Sequence, residues 1–341
     1  MVEIYTPHFD EHRCFPECGT GAFTITRAGG WFPRTILGRC QALCTYVRCV
    51  LAALAVLLSS RRYDVAFADS VSAVVPVLQW KMRVLFYCHY PDKLLQRTTA
   101  GTLRQLYRAP IDAIERWSTR RADAVAVNSK FTADAYRRVF DARAKPAVFY
   151  PPAPDASTPP SHSARAERPV LLSINRFEGK KNLPLALEAL RLLRNAAEGV
   201  PGVAAGRARR AVLVFAGGCD ARVPENAEQL SGLRVRASRA GLQSNAVHAE
   251  RVNGAKEAAA AVSAAVASEG DDVVFFPSCS DDVKHALLAA CTCLVYTPSD
   301  EHFGIAPLEA AMASRPTVGA RARAARDNCT RRHWPALRRL R

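Results

Sequence analysis

The chain has 341 residues, 49% of them hydrophobic, and a formal net charge of +16, enough apolar material for two domains with separate cores. The positive balance suits anionic ligands and an anionic membrane surface, whereas no nucleic-acid motif or aromatic stacking array accompanies it. The 11 cysteines are odd in number and lack zinc-type CxxC spacing, which favours reduced thiols in the cytosol over a disulfide framework or a zinc site.

In chain order, residues 2–5, 65–68, 84–87 and 124–127 read as short buried strands, with helical stretches near 40–58, 103–119 and 131–140. Alternation of that kind predicts a parallel α/β domain over 1–150. No cleavable signal peptide is visible. The strongest apolar run, 49–58, is flanked by Arg48, Arg61 and Arg62 and is too short to span a bilayer. It reads either as a buried helix or as a helix lying in a membrane interface. Residues 151–168, rich in Pro, Ser and Ala, read as a linker. The pattern then repeats over 169–319: strands at 170–174, 211–216, 273–276 and 293–296, helices near 184–194, 224–240, 282–290 and 307–314. The Ala-rich stretch 245–270 is weakly patterned and reads as a surface insertion. Residues 320–341 carry eight Arg against one Asp and read as an unpatterned tail; the Asn328-Cys-Thr sequon inside it is not expected to matter.

Two loops carry the chemistry. Residues 296–309 (YTPSDEHFGIAPLE) set Glu301 and Glu309 eight positions apart around a Gly304-centred turn between a strand and a helix start. Backbone N–H groups at such a helix start form a cradle for an anion, so those of Phe303, Gly304 and Ile305 are candidates for phosphate or sugar contact. Glu301 and Glu309 can accept hydrogen bonds from sugar or ribose hydroxyls. In the second loop, Arg176 and Lys181 follow the strand at 170–174, and two cations there suit a diphosphate leaving group. Lys180 reads as the exposed neighbour. A nucleotide-sugar presents this combination of phosphate and hydroxyls. Asp271-Asp272 and Asp281-Asp282 lack a DxD context, so no metal or other cofactor is expected.

With these loops the chain resembles the retaining glycosyltransferases of family 4, whose GT-B fold is α/β with two Rossmann-like domains facing a cleft. Segments 4–10 (IYTPHFD), 13–15 (RCF), 86–92 (FYCHYPD), 106–112 (LYRAPID), 127–132 (VNSKFT), 172–183 (LSINRFEGKKNL) and 299–305 (SDEHFGI) narrow the resemblance to the alpha-1,3/1,6-mannosyltransferases of dolichol-linked oligosaccharide assembly. The resemblance implies GDP-mannose as donor substrate, a dolichol-diphosphate-linked oligosaccharide as acceptor, and attachment to the endoplasmic reticulum membrane with the site facing the cytosol. It implies catalytic roles for His89, Arg176, Lys181 and Glu301, with donor binding by Arg176, Lys181, Phe303, Gly304, Ile305 and Glu309. Weaker candidates are Asn128 and Ser129 lining the cleft, Ser278 and Asp281 near the base, His8 and Asp10 near the acceptor, His302 shaping its loop, and Tyr107, Arg108 and Trp117 touching lipid or glycan. Helix capping competes for Ser129 and Asp281, and core packing for Tyr107 and Trp117. Compared with the family, the chain is expected to lack a first strand and Gly-rich loop at its start and to be aberrant after 319. Two alternatives follow: an inactive truncated glycosyltransferase-like protein, or a cytosolic family 4 enzyme with a soluble acceptor.

Overall fold

The computed structural model describes residues 2–10, 14, 16–95, 102–152, 168–220, 222–250, 252, 254–299, 301–319 and 337–339. They group into two compact units divided after Tyr150. The expected linker lies outside the described residues except for Pro151, Pro152 and Arg168, as do Arg13, Phe15 and the sequon.

The first unit runs β1 (Glu3–Thr6), α1 (Pro16–Gly19), β2 (Thr24–Arg27), α2 (Gln41–Leu58), β3 (Val65–Asp69), α3 (Val75–Leu78), β4 (Arg83–Cys88), α4 (Thr102–Thr119), β5 (Ala124–Val127), α5 (Lys130–Val139) and β6 (Ala147–Val148). Strands β3-β4-β5-β6 form a parallel sheet in that order, and β1 pairs with β2 separately. Val84, Phe86 and Cys88 alternate into a core completed by Ala53, Val75, Tyr136 and Phe140. The Ser129 side chain accepts the Thr132 N–H and starts α5, so it takes the capping role. Helix α4 continues through Pro110.

Helix α2 extends the apolar run back through Arg48 to 18 residues, long and apolar enough to cross a membrane, where the shorter run 49–58 alone was too short. Its Cys44, Tyr46, Ala52, Ala53 and Leu57 are nevertheless buried, while Leu43, Leu54 and Leu58 are exposed.

The second unit runs β7 (Val170–Ile174), α6 (Pro184–Ala197), α7 (Val203–Arg209), β8 (Val212–Gly217), α8 (Pro224–Arg239), β9 (Ser244–Ala246), α9 (Ala255–Ala267), β10 (Val273–Pro277), α10 (Asp281–Ala290), β11 (Cys293–Tyr296), α11 (Ile305–Met312), β12 (Thr317–Gly319) and β13 (Leu337–Arg339). The sheet order is β13-β12-β11-β7-β8-β10-β9, and every pair is parallel. Helices cover both faces, which is why β8 and β10 are almost continuous apolar runs rather than alternating ones. Phe215 and Phe275 stack at 5.4 Å on one face, while Val214, Val274 and Phe276 fill the other.

The stretch 245–270 is not a surface insertion. It contains β9 and α9, and Ala258, Val262 and Val266, four residues apart, bury themselves in the main core. Alanines on every face of α9 hid that stripe from a reading by hydrophobic contrast. In the tail, Leu337–Arg339 extend the sheet edge beside β12, which the Arg-rich composition gave no sign of.

Candidate functional site

In a parallel sheet the loops after the strands gather at the carboxyl edge. The loop after β7 begins with Asn175, whose N–H reaches the Ala216 carbonyl, and is anchored by Phe177, fully buried, whose N–H reaches Gly218. Gly217 makes this approach feasible: at φ +134° a Cβ there would lie 2.4 Å from the Asn175 carbonyl oxygen. The loop then turns through residues 179–181 and presents Lys181 inward and Arg176 and Lys180 outward.

Lys181 Nζ donates to Glu301 Oε2, so the two loops singled out in the sequence meet. Thr297 reinforces the junction by donating from Oγ1 to the Lys181 carbonyl at 2.7 Å. Burial pushes the Glu301 carboxyl up, but hydrogen bonds from Lys181 and Tyr296 and the charges of Lys181 and His302 outweigh it and hold the group below its ordinary value. Arg176 instead pairs with Glu178 at 3.0 Å, as does Lys180. The two cations expected to share one diphosphate therefore each face a different carboxylate.

Gly304 has φ +85° and immediately precedes α11, which starts at Ile305, two residues before the expected helix start at 307. Glu309 is nearly buried on α11 and its Oε1 lies 3.0 Å from Lys284 Nζ, which also reaches Asp281 at 2.8 Å. Burial pushes the Lys284 ammonium down, yet Asp281 and Glu309 hold it above its ordinary value. Two carboxylates, each held by one lysine, thus stand on either side of the glycine turn. Asp281 does not cap α10; Ser280 does, its Oγ accepting the Val283 N–H. Ser278 bonds the Cys219 N–H and carbonyl through its hydroxyl, tying the ends of β8 and β10.

In the first unit, β4 ends at Cys88 and delivers His89, whose Nε2 is 2.9 Å from Asp69 Oδ1 at the end of neighbouring β3. That hydrogen bond raises His89 above its ordinary pKa against a smaller opposing effect of burial. The Tyr87 ring meets the imidazole edge-on at 4.9 Å. Asn128 and Ser129 are buried. His8 is tied to Thr6, its N–H donating to the Thr6 hydroxyl; Asp10 closes the same described segment. Arg108 is buried in ion pairs with Asp92 and Asp112, so it does not present itself to lipid or glycan. The Tyr107 hydroxyl accepts the Leu43 N–H and its ring packs beside Tyr46 and Ile111, whereas Trp117 is exposed under Arg121 rather than packed in the core. Among the described residues no cluster of His, Cys, Asp and Glu could hold a metal ion.

Sequence reasoning missed Asp69, Glu178, Lys284 and Tyr296. Asp69 carries the same signal that selected His89, a polar residue closing an apolar strand, and the expected strand stopped one residue short of it. Lys284 follows Asp281 by one helical turn, but its second partner, Glu309, comes from another helix.

Residues 2–157 match Glycosyltransferase Family 4 and residues 156–329 match Glycosyl transferases group 1. The chain is 40% identical over 331 residues to the alpha-1,3/1,6-mannosyltransferase ALG2 of Rhizomucor pusillus, covering 93% of this chain and 69% of that protein. It is 39% identical to the enzymes of the same name from Mus musculus and Homo sapiens, covering 93% of this chain and 71% of each relative. Among solved structures it resembles sucrose-phosphate synthase from Thermosynechococcus elongatus, with TM-score 0.60 and 16% identity over 95% of this chain and 71% of that one. It also resembles Anabaena HepE in complex with UDP and glucose, with TM-score 0.56 and 15% identity over 90% and 70% of the two chains. These structural likenesses establish the α/β GT-B fold with its two Rossmann-like domains, and the sequence relatives establish more: the chain belongs to the alpha-1,3/1,6-mannosyltransferase family of glycosyltransferases.

Proposed function

We propose that this chain transfers mannose from GDP-mannose to a Man-GlcNAc2-diphosphodolichol acceptor, forming alpha-1,3 and then alpha-1,6 linkages at the cytosolic face of the endoplasmic reticulum membrane. The observation that carries the reading is the convergence of Lys181, Glu301 and the Gly304 turn, with Lys284 and Glu309 beyond it, in a chain of this family. Membrane association is assigned to the apolar face of α2, where Leu54 and Leu58 are exposed.

The chemistry required is departure of a nucleoside diphosphate from a sugar that develops oxocarbenium character. Lys181 and Arg176 are proposed to take up the negative charge of the leaving diphosphate. A phosphate arriving at Lys181 competes with Glu301 for the ammonium, so donor binding exchanges one ion pair for another and frees Glu301 to accept sugar hydroxyls. The N–H groups of Phe303, Gly304 and Ile305 supply further donors at the start of α11. Glu309, oriented by Lys284, is assigned to the ribose hydroxyls. His89, kept protonated longer by Asp69, is assigned to the donor sugar by family resemblance. Attack from the face the diphosphate leaves, with that phosphate accepting the acceptor's proton, retains configuration without a protein nucleophile. No metal or other cofactor enters the proposal.

The test is transfer of radiolabelled mannose from GDP-mannose to a phytanyl-diphospho-chitobiose bearing one mannose, using membranes that contain the parent chain or Glu309→Ala. Product from the parent and at least about tenfold less from the variant supports the reading. Equal product from both removes Glu309 from the donor site. No product from folded parent removes the proposed reaction.

A further inference from the structure

The segment 106–112 stood out in the sequence, yet the donor and acceptor roles leave its buried charges unexplained. Helix α4 carries Arg108 and Glu115, 7% and 6% exposed, and both are directed at the loop that follows His89. Glu115 accepts the Asp92 N–H at 2.7 Å with one carboxylate oxygen and the Lys93 N–H at 3.2 Å with the other. Arg108 Nη2 donates to the Asp92 carboxylate at 2.7 Å and to Asp112 at 3.2 Å. The same turn of α4 also holds the loop that follows Asp69: Ser72 Oγ lies 2.8 Å from Ser118 Oγ and donates to the Glu115 carbonyl at 3.3 Å. From the other side, Thr132 donates to the His89 carbonyl at 3.3 Å.

We propose that Glu115, aided by Arg108, is the positioning residue of the Asp69–His89 pair: one helical turn of α4 grips the chain three residues beyond each member and so sets their hydrogen bond. The inference rests on the reading of His89 as a group that acts on the donor sugar. A charged acceptor inside an apolar unit costs free energy that a packing role does not require. What it provides is two charge-assisted bonds to consecutive backbone N–H groups, which fix a loop's path more tightly than side-chain packing. Two consecutive N–H groups need two acceptor oxygens, so an amide at this position leaves one of them facing an NH2 group. Burial pushes the Glu115 carboxyl up to about 7, the backbone bonds opposing that rise and the charges of Asp92 and Asp112 adding to it. The ionisable groups around Glu115 are Asp92 of the loop, Arg108 and Asp112 of α4, Tyr46 of α2 and Cys88 of β4. Protonation removes one acceptor oxygen, so the grip is complete only above that pH.

The experiment compares the full chain with Glu115→Gln and, as a gentler perturbation, Ser72→Ala, each checked for folding by circular dichroism. His89 is titrated by NMR and mannosyl transfer is followed across pH. In Glu115→Gln the His89 midpoint is expected to fall toward the ordinary 6.5 as its bond to Asp69 loosens. kcat is expected to drop about tenfold with KM for GDP-mannose unchanged, because misplacement by a fraction of an ångström costs rate rather than donor affinity. The parent's kcat is expected to rise near pH 7 as Glu115 ionises, that rise should be absent from Glu115→Gln, and Ser72→Ala should move the His89 midpoint in the same direction by less. A folded Glu115→Gln protein with the parent's His89 midpoint overturns the proposal. A shifted midpoint supports it even where transfer by the parent is absent, so failure of the assigned reaction is distinguishable from failure of the brace.

Discussion

Replacing Gly304 by alanine tests whether the turn between Glu301 and α11 depends on a residue without a side chain. At φ +85° an alanine pays about 1 kcal/mol for a left-handed conformation. Its Cβ would also lie 2.7 Å from the Tyr296 hydroxyl oxygen and 3.3 Å from Cζ, so the ring must shift. Forced repacking of that kind costs about 1–3 kcal/mol. The total, about 2–4 kcal/mol, corresponds to a loss of about 5–15 °C in the melting temperature of a unit this size. The ring cannot move without disturbing the hydrogen bond that Tyr296 gives Glu301, so donor KM should rise alongside the stability loss. Tyr296→Phe removes the closest contact, and the double variant should be more stable than additivity predicts by about 1 kcal/mol. Thermal unfolding by circular dichroism, with GDP-mannose KM measured on the same preparations, reads all three variants. Single-variant losses that simply add, within about 0.5 kcal/mol, would refute the steric reasoning.

Lys284→Met leaves the nearly buried Glu309 carboxylate without its lysine. Breaking a buried pair costs about 3–5 kcal/mol, and the residual exposure of Lys284 reduces that to about 2–3; urea unfolding should show the loss, and adding Glu309→Gln should recover most of it. Glu115 predicts a pH dependence of stability. Its carboxyl is raised from 4.5 to about 7 in the folded chain, so the folded state binds the proton more tightly than the unfolded one. This stabilisation is complete below pH 4.5 and is lost as pH rises through about 7, a decline of up to about 3 kcal/mol. Urea unfolding across that range should show the decline in the parent and lack it in Glu115→Gln.

Much of the architecture was legible because parallel strands buried on both faces are written as apolar runs. Residues 170–174, 273–277 and 293–296 each end where a polar loop begins. The same punctuation exposed Arg176, Lys181 and Glu301 in the second unit and, separately, His89 in the first, since groups at the carboxyl ends of parallel strands collect on one edge of their own sheet. Helix α9 escaped because its buried stripe of Ala258, Val262 and Val266 is set among alanines on the other faces. Asp281 was credited with a cap that Ser280 makes, an error of one residue that hydrogen-bond geometry alone resolves.

The sequence by itself determined the parallel α/β organisation, the two loops with their lysine, arginine and glutamates, and the family. All of these are properties of local pattern, readable from spacing along the chain. Tertiary structure alone decided the partners: that Lys181 meets Glu301 rather than sharing a ligand with Arg176, that Lys284 holds Glu309, and that Arg108 and Glu115 grip the loop beyond His89 instead of facing solvent. Such pairings join residues up to 120 positions apart. A charge finds its partner through the packing of whole strands and helices, and no spacing along the chain encodes that encounter.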